Sequence, residues 1–360
     1  MVIADAAAVQ SHPQGVLTAL TTWHDHSMKR RDLIIGVTLA AVAAHNARAQ
    51  PPTRKYRLAI FHPATPIASM VETGPSHYAA LFGELRRLGY LEGENLVVER
   101  FSGEGRPETY GEVAREIVRI APDVIFPVSN RLVRHLQSHT RKIPIVAMTS
   151  DPVGYGFAAS LSHPGGNITG VTVDAGLEII EKFLEILREF NSSAPKIGFL
   201  APTDAWGDHF ARVLLAATSR AGVSMLGPPL QSPIQREEYR RVTYEMVRGG
   251  AQAILVADAP ENFAHRDLIV RLAEEHQIPF LYPLAEYVRI GGLMSYSSDN
   301  EERHRRIAGY IDRIFRGEDP SNLPFYQPTN FLLTINLRVA KALRLTIPPT
   351  LLGRADEVIE

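Results

Sequence analysis

Arg57-Leu58-Ala59-Ile60-Phe61-His62-Pro63 and, later in the chain, Lys196-Ile197-Gly198-Phe199-Leu200-Ala201-Pro202 are two versions of one phrase: a basic residue, an apolar run and a closing proline. The marks that follow them also correspond, in the same order. Arg87-Leu88-Gly89-Tyr90 answers Arg220-Ala221-Gly222-Val223, and Asp123-Val124-Ile125-Phe126 answers Gln252-Ala253-Ile254-Leu255. Lys142-Ile143-Pro144-Ile145-Val146 answers Gln277-Ile278-Pro279-Phe280-Leu281. Residues 57–147 and 196–282 therefore overlay as two strand–helix–strand–helix–strand–helix–strand units. Two unrelated units of this kind would share part of the pattern, but its order and spacing favour duplication. Two α/β lobes with a cleft between them are expected.

The strands of the first unit are predicted at residues 58–61, 96–98, 124–128 and 143–148. They are apolar without alternation, as strands are when both faces of a parallel sheet are covered. Between them, Tyr78, Leu81, Phe82, Leu85 and Leu88 recur at helical spacing up to Gly89, and Tyr110, Val113, Ile117 and Val118 mark a second helix. The fold class is thus two Rossmann-like lobes with parallel central sheets, joined by a multi-strand hinge. Residues 50–171 and 292–324 are assigned to the first lobe, 172–291 and 325–360 to the second. The Pro164-Gly165-Gly166 turn reads as a crossing between them. A strand at 291–296 is expected to return to the first lobe, followed by a helix through Phe315. The apolar helix 337–345 is expected to rejoin the second lobe after a proline-rich linker at 320–328. Glu301-Glu302-Arg303-His304-Arg305-Arg306 alternates in sign and reads as the solvated first turn of its helix.

Ahead of the first copy, residues 1–49 read as a leader. Lys29-Arg30-Arg31, an apolar run at 33–44 and Ala47-Arg48-Ala49 have the layout of an export signal with cleavage after Ala49. Met28 is the better start, which leaves 1–27 as upstream sequence. Arg30-Arg31 fits the twin-arginine route and also an ordinary signal, so Sec and twin-arginine export both stay open. The apolar run is well short of the ~20 residues that span a membrane. Of the 360 residues none is cysteine, which excludes disulfides, thiolate chemistry and a lipidated cysteine anchor. A formal charge of −1 without a basic stripe argues against nucleic acid as a partner.

No catalytic signature stands up: there is no nucleophile elbow, phosphate-binding loop or His-Glu-x-x-His helix. Gly154-Tyr155-Gly156 lacks the third glycine and the position of a dinucleotide fingerprint. His135 and His139 have the spacing of a metal pair but no evident third ligand, so a solvated helix face is the expectation. No cofactor or metal is expected. The informative positions are the loops at the carboxyl ends of the strands, where open parallel sheets bind ligands. In the first unit these hold residues 62–65, Ser129, Asn130, Thr149, Ser150 and Asp151. In the second they hold Thr203, Asp204, Asp258 and Glu286, with Tyr282 beside them. Ser129-Asn130 opens a helix and would receive a carboxylate there, or act as an ordinary cap. Asp258 and Glu286 would hold an ammonium group in a drying cleft. Tyr282, Tyr287, Tyr296 and Trp206 are candidates for an aromatic wall, with core packing the alternative.

Gly165-Gly166-Asn167-Ile168-Thr169-Gly170-Val171, Gly291-Gly292-Leu293-Met294-Ser295-Tyr296 and the tail extend the picture. The tail runs through Gln327-Pro328-Thr329, Ala340-Lys341-Ala342-Leu343 and Ile347-Pro348-Pro349 to Arg354-Ala355-Asp356-Glu357-Val358-Ile359. Together they resemble the tryptophan/tyrosine-type family of ABC-transporter substrate-binding proteins, over essentially the whole mature chain and the leader. Arg344 departs from the pattern where glycine is expected. The resemblance implies a type I periplasmic binding fold and a small polar or zwitterionic ligand, such as an aromatic amino acid. It also implies delivery to an inner-membrane ABC permease with its cytoplasmic ATPase, by a periplasmic monomer without a membrane anchor. An exported sensory module for a membrane receptor is the alternative, and an enzyme on the same fold a more distant one.

Overall fold

The structure, a computed structural model, describes residues 54–173, 177–190, 196–207 and 209–360. The leader, its cleavage site and the upstream segment lie outside the described residues. The first lobe contains β1 (Tyr56–His62), α1 (Ser76–Arg87), β2 (Leu96–Ser102), α2 (Tyr110–Arg119), β3 (Val124–Pro127), α3 (Asn130–His139), β4 (Ile145–Thr149) and β5 (Ile168–Thr172). Its strands pair in parallel in the order β2-β1-β3-β4-β5. The reason is legible in β1, where Leu58, Ala59, Ile60 and Phe61 are all fully buried. Leu58 and Ile60 pack on one face with Tyr78, Leu81 and Leu85 of α1. Ala59 and Phe61 pack on the other with Tyr110 and Ile117 of α2 and Leu132 of α3. Alternate residues of one apolar run thus feed two helical layers, each buried aliphatic or aromatic side chain contributing roughly 1.5–3 kcal/mol.

The second lobe continues with α4 (Leu177–Phe190), β6 (Lys196–Leu200), α5 (Thr203–Trp206), α6 (His209–Arg220), β7 (Ser224–Leu226) and α7 (Arg236–Arg248). β8 (Ala253–Val256), α8 (Pro260–Ala264), α9 (Arg266–His276), β9 (Phe280–Tyr282), α10 (Ala285–Arg289) and β10 (Met294–Ser298) follow. α11 (Asn300–Phe315) crosses to the first lobe, and Ile307, Ala308 and Ile311 join its core. The chain then returns through β11 (Phe331–Asn336), α12 (Leu337–Ala342), α13 (Pro349–Leu352) and β12 (Glu357–Ile359). The second sheet runs β12-β11-β10-β9-β8-β6-β7, parallel except where β11 meets β10.

Two expectations are corrected here. The strand at 291–296 belongs to the second sheet, with Met294 opposite Leu281 of β9, so the crossing falls after Ser298. Gly292 makes this possible: a Cβ there would stand 2.6 Å from the Tyr282 ring, so only a bare backbone fits against β9. β11 was not expected at all; it adds an antiparallel strand before the expected helix, which ends at Ala342 rather than 345. Just beyond, Arg344 has φ 57, and Leu345 N–H reaches Ala340 O at 2.9 Å. This left-handed helix ending is the conformation that glycine adopts without strain, which accounts for the glycine expected there.

The chain passes between lobes three times: after β5, after β10 and before β11. Ser298 Oγ donates to Val173 O at 3.0 Å, and Thr172 N–H to Tyr326 O at 2.8 Å, so neighbouring crossings are tied together. Gly170 in β5 has φ 143, and a Cβ there would lie 2.0 Å from Ala147 O of β4. Gly166 has open space around it. Gly170→Ala should therefore cost on the order of 2–4 kcal/mol in urea unfolding, and Gly166→Ala less than about 1. Equal losses for the two variants would show that the close approach of β5 to β4 is not constraining.

Candidate functional site

The carboxyl ends of β1, β3 and β4 face those of β6, β8 and β9, and the loops between them enclose three adjoining cavities. Ser150 and Asp258 line all three. The lobes are drawn together at one edge by Arg131 of α3. Its guanidinium donates to both carboxylate oxygens of Glu261 in α8, at 2.7 and 2.5 Å, and lies 3.3 Å from Asp204. Glu261 is 4% exposed, so its carboxylate has lost nearly all its water, while Arg131 keeps part of its own. At the hinge side, Asn300 Nδ2 donates to Glu286 at 3.0 Å, and His77 of α1 lies 3.9 Å from the same carboxylate.

The first-lobe wall is braced before any ligand is considered. Asn130 Nδ2 donates to Ser150 Oγ at 2.7 Å, while its Oδ1 accepts from Ser150 N–H at 2.9 Å and from the Thr149 hydroxyl. Ser129 accepts from Leu132 N–H at 3.4 Å, the capping role. Opposite this wall stands Asp258, just past β8 and open to the cleft although both lobes crowd around it. That enclosure raises its carboxyl above the usual range; Arg303 opposes the shift and Glu286 adds to it. Arg303 is 3% exposed and lines two of the cavities with Asp258. A cation from the first lobe and an anion from the second thus meet one enclosed space.

On one side of these charges lies a cavity of about 120 Å³ walled by Ile179, Phe183, Phe199, Phe210, Leu255 and Tyr296. On the other is one of about 140 Å³ whose lining includes His62, His77 and His304. His62 Nδ1 accepts from the N–H groups of Ala64 and Thr65 at 3.1 and 2.8 Å, which places its proton on Nε2. Burial, with a smaller push from His77, holds its pKa down at about 3. His304 is lowered well below the ordinary value, first by burial and then by His77. His77 is lowered too, burial outweighing the pull of Glu286.

The expected site residues divide. Ser129, Asn130, Thr149, Ser150, Asp258 and Tyr296 line the cavities, and Asp204 lines the third one, with Arg131. Asp151 turns away to accept from Gly154 N–H at 2.9 Å, and Thr203 donates to Leu230 O at 3.0 Å. Tyr282 is fully buried and stacked on Tyr287 at 5.1 Å, inside the second core rather than on the cleft wall. Trp206 packs on Phe199 behind the apolar cavity. Glu286 serves the interlobe contact. Sequence reasoning passed over Arg303 and His304, read as a solvated turn, yet each is 3% exposed. The apolar face set by Ile307, Ala308 and Ile311 runs one turn back through 303 and 304, a signal that marks the face but not the second lobe that covers it. Among the described residues there is no cluster of metal-ligating side chains, and no helix is long and apolar enough to cross a membrane.

A family model described as ABC transporter substrate binding protein matches residues 67–359. A curated tyrosine-binding protein of Clostridioides difficile (strain R20291) is 24% identical over 298 residues, covering 77% of this chain and 79% of that protein. A crystal structure of a conserved domain protein from Vibrio cholerae has a TM-score of 0.76 at 22% identity, covering 85% of this chain and 100% of its own. The structure of an ABC domain in complex with L-Trp from Streptococcus pneumoniae has a TM-score of 0.74 at 19% identity, with the same coverages. The fold is that of periplasmic binding proteins.

Two outcomes follow from this geometry. Removing the charge of Glu261 strands Arg131 beside a single exposed carboxylate, at a cost on the order of 3 kcal/mol. Glu261→Gln should therefore open the cleft, seen as a larger radius of gyration in X-ray scattering; an unchanged radius would deny the pair its role in closure. The three imidazoles have folded pKa values below the unfolded 6.5, so the unfolded chain binds more protons once the pH drops below that value. Their contribution is complete above about pH 6.5 and is lost on acidification, toward about 3 for His62. Urea unfolding at about pH 5 should show a loss on the order of 1–2 kcal/mol from His62, relative to about pH 7.5. His62→Gln should reduce that loss, and an unaltered pH slope would assign it elsewhere.

Proposed function

The chain belongs to the ABC transporter substrate-binding protein family, and from that premise we propose that its cleft binds an aromatic amino acid. The observation that carries this is that Asp258 and Arg303, from opposite lobes, line one cavity walled by three phenylalanines and Tyr296. A zwitterion presents one charge of each sign. The carboxylate goes to the Arg303 guanidinium, supported by Ser150 and by the α3 N-terminus at Ser129 and Asn130; the ammonium goes to Asp258. The side chain enters the apolar cavity. A tyrosine-binding relative and an L-Trp complex of the same fold support the same ligand class.

The ligand then contacts both lobes only when they are closed, which is what allows it to shift a hinge equilibrium. The closed form is the signal a permease reads. We propose that the protein acts as a periplasmic monomer, exported by its leader, and passes its ligand to an inner-membrane permease driven by a cytoplasmic ATPase. It performs no chemistry on the ligand.

The test is calorimetry with aromatic amino acids on the wild type and on Asp258→Asn, which keeps shape and removes charge. Affinity should fall about 10- to 100-fold, the loss of one charge-assisted contact in an enclosed site, with the thermal midpoint nearly unchanged. Equal affinity in the variant would reject Asp258 as the ammonium partner. Silence of the wild type toward all aromatic amino acids would reject the ligand class.

A further inference from the structure

Resting on the reading of the cleft as an aromatic amino acid site, we infer that it is built for a ring without a hydroxyl group, so that phenylalanine is bound in preference to tyrosine. The wall of the ring cavity is largely apolar. Ile179, Phe183, Phe199 and Leu255 on its wall are 8%, 6%, 1% and 4% exposed. Among the described residues, the side chains of the lining that can form hydrogen bonds are Ser150, Asp258, Ser297, Arg303 and Tyr296.

Four of those five gather at the mouth. Ser150, Asp258 and Arg303 also line the neighbouring polar cavity, so they stand where the two spaces join. Ser297 is at the hinge end of β10, beside Ser298, whose hydroxyl reaches Val173 O; Val173 borders both cavities. These groups face the head of the ligand. The fifth, Tyr296, is held by its ring. The ring is stacked on Phe331 at 5.6 Å and meets Phe183 edge-on at 6.3 Å. Beyond burial, the charges that act on its phenol are Asp356, Glu185 and Arg354, and the Arg354–Glu185 pair lies on the outer surface at 2.6 Å. The backbone offers little at the β8 end, since the Ala257 carbonyl already accepts from Asn262 Nδ2 at 2.9 Å.

A phenol entering this cavity exchanges its water for hydrocarbon. A phenyl ring gives up nothing. A hydrophobic pocket discriminates against an added hydroxyl by up to about 100-fold, because the loss is limited to the desolvation of one group. The preference expected here is about 10- to 100-fold.

Calorimetry of the full chain with L-phenylalanine and L-tyrosine reads this directly, repeated on Tyr296→Phe. Phenylalanine should bind at least about tenfold more tightly, and the substitution should move both affinities together. Tyrosine bound as tightly as phenylalanine would overturn the inference and leave the ligand class standing. So would a substitution that weakened tyrosine alone, since Tyr296 would then be the partner of the ligand hydroxyl. Binding of neither amino acid by the folded wild type would overturn the ligand class, and this inference with it.

Discussion

Parallel pairing delivers the carboxyl end of every strand it joins to the same edge of a sheet, and in this molecule two such edges are turned toward each other. Everything at the cleft depends on that. β3 and β4 lead into Ser129 and Ser150, β8 leads into Asp258, and their loops meet across the gap because the strands run the same way. The one antiparallel pairing, β10 with β11, lies on the side of the second sheet that carries the crossings. There the reversal serves a different purpose: it lets the chain return from the first lobe and finish beside the strand from which it left.

The charges in the cleft are of two kinds, and their surroundings separate their roles. Arg131 and Glu261 satisfy each other at hydrogen-bond distance, with Glu261 stripped of water, so the pair draws the lobes together at the outer edge. Such a contact gains less than its Coulomb energy, because both ions surrender hydration. Asp258 and Arg303 border the same cavity from opposite lobes, and Asp258 is raised by its surroundings even though Arg303 pulls the other way. The proposed ligand is a molecule that carries both charges. The bracing of Asn130 by Thr149 and Ser150 fits this division, since it fixes one wall before binding and spares that part of the ordering cost.

Most of the fold was legible because its strands are continuous apolar runs between turn residues, and the duplicated phrase made each copy a check on the other. The membership of the strand after Gly292 was not. An apolar strand at a hinge carries no mark of the sheet it joins, and the deciding fact is the missing Cβ against the Tyr282 ring. Half of the site was legible by the same logic: strand ends hold Ser129, Asn130, Ser150 and Asp258. The other half sits on α11, where Glu301-Glu302-Arg303-His304-Arg305-Arg306 looks uniformly wet. Charge alternation describes a helix surface but not what that surface faces. Arg303 and His304 are buried because the helix start is wedged between the lobes, and no property of the local sequence encodes the second lobe. Tyr282 errs in the opposite sense, a side chain with a polar end that packs entirely against Tyr287 and its neighbours.

The hinge and the cleft are coupled through α11. Its N-terminal residues provide Arg303 to the cavity and Asn300 to Glu286 of the second lobe, while Ile307 and Ile311 anchor it in the first core. The crossing after β10 leads straight into it, and Ser298 ties that crossing to Val173 on the neighbouring one. A solute that draws on Arg303 therefore pulls on the segment that sets the angle between lobes, and one that draws on Asp258 pulls from the other side. Neither charge alone could favour closure, because a ligand with equal affinity for both states shifts nothing. On the proposed reading, the division of opposite charges between two bodies joined at a hinge is what would let a zwitterion bind one state more tightly than the other.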